Sequence, residues 1–180
     1  MPDKADSSLR IAYLAPEIPA LSATFVYNEI LELNKLGVDV KPFSVHRPGH
    51  LATEATLSQI RNNVFHLYET AKFQVLSDNL IMLFTRPNGY LQAAGRLISD
   101  VFNQGLISRS ALGLGYRFFY AATLAKHLRQ GKIQHLHTHF AHIPTDIAMY
   151  AAPMAGIGFS VQAHANDLFE RGWLLKKKVD

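Results

Sequence analysis

The run His135-Leu136-His137-Thr138-His139 sets three imidazoles at alternate positions, and His142 follows three residues later. Alternate residues of a strand point to the same side. Three imidazoles on one side have the donor chemistry for zinc or another transition metal. A metal-dependent hydrolase using His135, His137 and His139 is therefore one reading. The other is structural: in a sheet covered on both faces, His135 and His137 are hydrogen-bonded core residues. His139 and His142 then lie at the strand end and beyond it, where a substrate can reach.

A fifth histidine, His164, directly follows the apolar segment Phe159–Ala163, with Asn166 and Asp167 close behind. An imidazole at the carboxyl end of a strand can donate to a substrate hydroxyl or carry a proton near neutral pH. Asp167 can orient that ring or cap a following helix. Near the other end of the chain, Ser22-Ala23-Thr24-Phe25 precedes a helical pattern. A helix amino terminus offers unpaired N–H groups to a phosphate or an anionic sugar substituent. The plainer role for Ser22 or Thr24 is to cap that helix. Neither a Walker lysine pattern nor GxGxxG is present, so ATPase and dehydrogenase readings lose their usual support.

These groups need a scaffold. Arg10–Ala15 is short, apolar and stopped by Pro16, as a buried first strand is. Thr24 to Leu36 has helical spacing, with Phe25, Ile30, Leu33 and Leu36 on one face and Gly37 at its end. Val38–Val45 alternates as a second strand, and Pro42 pushes it toward a sheet edge. Strand, helix and strand in this order make a βαβ unit and imply a parallel sheet. Asn63–Leu67 is a third strand. Three amphipathic helices follow, marked by Phe73, Leu76, Leu80 and Leu83, then Leu91, Ala94, Ile98 and Val101, then Leu112, Tyr116, Tyr120 and Leu124. Strand Ile133–Thr138, a helix from Thr145 to about Ala155 and strand Phe159–Ala163 complete the series. The expected class is α/β: a Rossmann-like parallel sheet with helices on both faces and an inserted helical region. Ligands of such sheets bind at the carboxyl ends of the strands, where the loop after the first strand, the histidine run and His164 all fall.

The chain of 180 residues is the size of one domain, and its 48% hydrophobic and 18% charged residues suit a globular protein. Residues 1–9 read as a polar, disordered tail and 10–180 as the domain. After Phe159–Ala163 neither a closing helix nor a further strand is legible, which suggests truncation at the carboxyl end. With no cysteine, disulfides and thiolate chemistry are excluded. No apolar run is long enough to span a bilayer, and the amino terminus lacks a signal-peptide core, so the default compartment is the cytoplasm. The net charge of +4 suits anionic partners but is no argument for nucleic acid. Within residues 86–132 stand Arg86, Arg96, Arg109, Arg117, Lys126, Arg129 and Lys132 against the single acid Asp100, a balance of 7 − 1 = +6. Basic and apolar residues together suit peripheral contact with an anionic membrane surface; a core helix with a solvated basic back is the alternative.

Two blocks carry a family resemblance. IAYLAPEIPALSATFVYNEILELNKLGVDVKPFSVHRP resembles the opening strand, P-x-x-SETF loop and first helix of glycosyltransferase family 4, exopolysaccharide and colanic-acid type. HLHTHFAHIPTDIAMYAAPMAGIGFSVQAHANDLF is similar to that family's HxHAHFA…A…GIPFSFTAHAxDIF block. The resemblance implies the amino-terminal, acceptor-side domain of a GT-B glycosyltransferase in polysaccharide or glycolipid biosynthesis. It implies retaining transfer from a nucleotide-sugar to a glycan or lipid-linked acceptor, with no other cofactor and no required metal ion. By position, His164 is the active-site histidine that contacts the donor sugar, and Asp167 supports it. Ser22 and Thr24 lie near the phosphates or acceptor, and His139 and His142 line the cleft. Ala23 stands where this type has glutamate, so any role of that carboxylate is lost. The donor-binding domain with its Glu-x7-Glu motif is missing from these residues, so a fragment inactive by itself is expected. A non-catalytic membrane- or partner-binding module is the remaining alternative.

Overall fold

A computed structural model describes residues 9–49, 57–105 and 108–164. Strand β1 (Arg10–Glu17) leads through a short 3-10 turn (Leu21–Ala23) into helix α1 (Thr24–Lys35) and strand β2 (Asp39–His46). Helix α2 (Ser58–Asn63), strand β3 (Phe65–His66) and helices α3 (Lys72–Thr85), α4 (Pro87–Gln104) and α5 (Arg109–Gln130) follow. Strand β4 (His135–His139), helix α6 (Ile143–Ala155) and strand β5 (Gly158–Gln162) complete the described fold. The sheet is wholly parallel with strand order β3-β2-β1-β4-β5, the order of a Rossmann-like doubly wound sheet.

The pleat divides the core in two. Ala12, Leu14, Leu136 and Thr138 face the helices that follow β3, whereas Tyr13, Ala15 and the histidines of β4 face α1. Central β1 is apolar on both sides because both sides are covered, with Ala12, Leu14 and Ala15 wholly buried. Each fully buried Leu contributes about 1.5–3 kcal/mol. Helix α6 packs against the sheet, α4 and α5 at once, which explains why its sequence is apolar nearly all round. Gly156, in the left-handed region at φ 77°, ends it. Gly89 lets the start of α4 meet α6 so closely that a Cβ there would collide with the carbonyl of Pro153.

Four expectations need correction. Pro42 does not place β2 at the edge: β2 lies between β1 and β3. The outer neighbour pairs only with Phe43 and Ser44, so its short ladder stops before Pro42. On α1 the buried residues are Val26, Tyr27 and Ile30, while Phe25 and Leu36 are exposed.

The large apolar residues of α3 and α4 also point outward. Phe73, Leu76, Leu80, Leu91 and Ile98 are exposed, and the inward faces carry Val75, Asp78, Asn79, Met82, Ala93 and Asp100. Those polar groups are accommodated by bonding. Asn79 Nδ2 donates to the carbonyls of Val75 and Phe119, Lys126 Nζ donates to Asp78 Oδ1 at 2.6 Å, and Tyr150 donates to Asp100 Oδ2 at 2.9 Å. On α5 the stripe splits, with Leu112 and Tyr116 exposed and Tyr120 and Leu124 buried.

The positive charge of residues 86–132 is correspondingly not all on the surface. Arg117 pairs with the fully buried Asp146 at 2.7 Å, and Lys126 pairs with Asp78. Among the described residues, no helix is long and apolar enough to cross a membrane.

Candidate functional site at the carboxyl ends of the strands

The loop after β1 is pinned by β2. Ser44 Oγ accepts from the Ile18 N–H at 3.0 Å and donates to the His46 carbonyl at 2.5 Å. Ile18, Ala20 and Ala23 are buried in consequence, and the 3-10 turn delivers Ser22 and Thr24 to the surface. Neither residue caps: the position before α1 is Ala23, and no side chain there accepts a hydrogen bond. The expected capping role is therefore corrected, and the first turn of α1 keeps its N–H groups free of a side-chain cap.

Beneath that turn, β4 presents His135, His137 and His139 on the α1 side, as alternation predicts. Their surroundings differ. His135 Nε2 and His137 Nδ1 both meet Ser160 Oγ of β5, at 2.9 and 2.7 Å. One hydroxyl hydrogen serves one ring, and the other ring must donate to the oxygen. His139 lies deeper than its strand-end position suggests: it is fully buried. The Phe25 ring packs 5.6 Å from it and Tyr13 5.5 Å, centroid to centroid. Its Nε2 approaches Glu29 Oε2 at 3.4 Å. Burial, reinforced by the neighbouring His137, pushes its pKa down to about 4 against the opposing pull of Glu29. The ring is thus neutral at pH 7, so the Glu29 contact is not an ion pair. Burial likewise lowers the pKa of His137, again opposed by Glu29.

Glu29 is the unforeseen member. Its Oε1 accepts a 2.6 Å hydrogen bond from the Tyr13 hydroxyl. Burial, followed by the hydrogen bond and the charge of Glu29, raises the pKa of that phenol well above its usual range. The signals were present in the sequence: Glu29 sits one helical turn after Phe25, and Tyr13 shares a face with Ala15. Nothing in one dimension joins them to β4.

At the rim, His164 packs on Phe25 at 4.9 Å and Phe140 at 4.5 Å, and lies over His139 at 6.1 Å with the rings nearly parallel. Phe140 reaches this position through a left-handed backbone at φ 72°, uncommon for a bulky residue. Its carbonyl accepts from Thr145 Oγ1 at 2.8 Å, and its N–H donates to Gln162. His142, half-buried, accepts from the Ile143 N–H through Nδ1 at 2.8 Å and so caps α6. The structure thus brings Phe25, His139 and His164 into contact and leaves Ser22 and Thr24 on the adjoining turn. Asp167 lies outside the described residues.

A cavity of about 540 Å³ lies elsewhere, lined by Val64, Phe65, His66, Gln74, Lys126 and His127. It sits beside β3, away from this convergence. The strand ends are the stronger candidate, because β1 has β2 on one side and β4 on the other. The chain reverses its direction of winding there, and the crevice at such a point is where open α/β sheets bind ligands.

Fold and site together define a Rossmann-like α/β domain with a cluster of histidines at its topological switch point. No protein-family model, curated protein or solved structure matched the chain.

Proposed function

We propose that this chain is the acceptor-side domain of a retaining, nucleotide-sugar-dependent glycosyltransferase of the GT-B kind. One observation carries the reading: the first turn of α1, through Phe25, meets His164 at the switch point, 4.9 Å ring to ring. Phe25 belongs to one of the two sequence blocks that resemble family 4 and His164 to the other, and their contact supports the reading. In the transfer, the acceptor hydroxyl oxygen bonds to the anomeric carbon and the bond from that carbon to the diphosphate oxygen breaks. The hydroxyl proton ends on the departing diphosphate. His164 contacts the donor sugar, Ser22 and Thr24 lie beside phosphate or acceptor, and His142 borders the cleft. Donors aimed at the developing negative charge supply much of the rate enhancement. A second domain must hold the nucleotide, so these residues by themselves supply one wall of the site.

The test is to express this chain with the coding sequence that follows Asp180 and assay transfer from UDP-, GDP- and ADP-sugars. The reading expects a second Rossmann-like domain with Glu-x7-Glu, and loss of at least about 100-fold in kcat for His164→Ala. Transfer that His164→Ala leaves unchanged would overturn the site assignment. A following sequence with no second α/β domain would overturn the reading itself.

The exposed apolar side chains favour a second property, docking on an anionic membrane surface. Phe73 and Phe84 of α3 are each about four-fifths exposed, and Leu112 of α5 is 70% exposed. Lys72, Arg109, Arg129 and Lys132 are exposed on or beside the same helices. Apolar residues that enter the lipid boundary, accompanied by basic ones, are what interfacial binding requires.

A further inference from the structure

We infer that Glu29, His137 and His139 form a binding site for a zinc-like divalent transition metal ion. The three side chains come from two elements, α1 and β4, and their ligand atoms all lie within 4.8 Å of one another. His139 Nε2 and Glu29 Oε2 are 3.4 Å apart. Two donors on one tetrahedral zinc sit about 3.3 Å apart, given bonds of about 2.0–2.1 Å. That pair therefore already has the spacing, and side-chain rotation must bring His137 the rest of the way.

The second observation is independent of the spacing. His137 Nε2 and both ring nitrogens of His139 are buried and make no hydrogen bond among the described residues. Buried polar atoms are nearly always partnered. A neutral ring keeps a hydrogen on one nitrogen, so His137 Nε2 and one nitrogen of His139 offer two unmet lone pairs to a cation beside Glu29. The outer contacts fit the same role. Ser160 holds His137 by Nδ1 and so presents Nε2, and Tyr13 holds Glu29 by Oε1 and so presents Oε2. Metal ligands are typically oriented in this way by outer hydrogen bonds.

Two imidazoles and a carboxylate suit zinc and leave a fourth position open, whereas magnesium and calcium select all-oxygen sites. Glu29, with its side chain 41% exposed, gives the ion a way in. His135 is not part of the set, because only Glu29, His137 and His139 bring ligand atoms within 4.8 Å of one another. The site thus differs from the three-histidine set that the sequence suggests. This inference stands apart from the sugar-transfer reading and is tested without any activity.

Untagged protein stripped with EDTA is titrated with Zn²⁺ by calorimetry and with Co²⁺ by absorption spectroscopy. The expected result is one ion per chain and the intense visible bands of four-coordinate cobalt. Glu29→Gln and His137→Gln should each weaken binding by at least about tenfold, and His135→Gln should leave it nearly unchanged. Glu29 is partly exposed, so Glu29→Gln reports even where His137→Gln fails to fold. Absence of stoichiometric zinc would overturn the inference. So would binding that survives Glu29→Gln, or binding that His135→Gln removes as completely as His137→Gln does.

Discussion

Arg117→Leu should destabilise the domain severely, and adding Asp146→Asn should restore most of the loss. Arg117 Nη1 lies 2.7 Å from Asp146 Oδ2, with Asp146 fully buried and the Arg117 side chain only 15% exposed. The pair joins α5 to the first turn of α6, which follows the strand that carries the histidines. In water the two charges would gain little from each other, and exposed pairs contribute about 0–1 kcal/mol. Here the cost of the substitution comes from what it leaves behind. A carboxylate with no exposed surface loses its counter-charge, and breaking such a pair costs about 3–5 kcal/mol. For a domain of this size about 1 kcal/mol moves Tm by roughly 2–4 °C, so the drop should be roughly 6–20 °C.

Urea unfolding followed by far-ultraviolet circular dichroism measures the effect, with an unchanged slope showing that the loss is in stability rather than compactness. Asp146→Asn removes the stranded charge, so the double variant should be more stable than Arg117→Leu alone. A single-variant cost below about 1 kcal/mol would mean that the pair behaves as a surface contact. A double variant no better than the single would refute the stranded-charge argument.

Two further outcomes follow from the same structure. In EDTA, stability should be full above about pH 6.5 and fall as the pH drops from there toward about 4. The reason is that burial holds the folded pKa of His127, His137 and His139 below 6.5, with His139 at about 4. The unfolded chain therefore binds protons in this window that the folded chain does not, which favours unfolding. His139→Gln should flatten the dependence of the urea midpoint on pH between 6.5 and 4, and an unaltered curve would count against this origin. On the surface, Phe73→Ser with Phe84→Ser should reduce co-sedimentation with vesicles containing phosphatidylglycerol by more than about tenfold. Two inserted rings contribute about 3 kcal/mol or more. Undiminished binding of the double variant would remove α3 from the docking surface.

The sequence by itself determined the scaffold. Short apolar runs bounded by Pro and Gly, separated by helical spacing, gave parallel strands and their order in the chain. The pleat alone put His135, His137 and His139 on one side, because a period of two needs no tertiary information. Periodicity also located α3 and α4, yet it misjudged their inward faces. Apolar spacing marks a stripe without saying whether protein or another surface covers it. The buried polar partners of Asp78, Asn79 and Asp100 come from helices up to 50 residues away.

The site was legible only in part. Position at a strand end singled out His164 and His139, but their contact with Phe25 depends on how the Ser44-pinned loop turns α1 over the sheet. Tertiary packing alone decided that His139 is buried, that Ser160 engages His135, and that Glu29, held by Tyr13, faces His137 and His139. Tyr13 and Glu29 are 16 positions apart and His135 and Ser160 are 25 apart, while Glu29 lies more than 100 positions before His137 and His139. The chain has no local energy term linking such residues before the sheet closes.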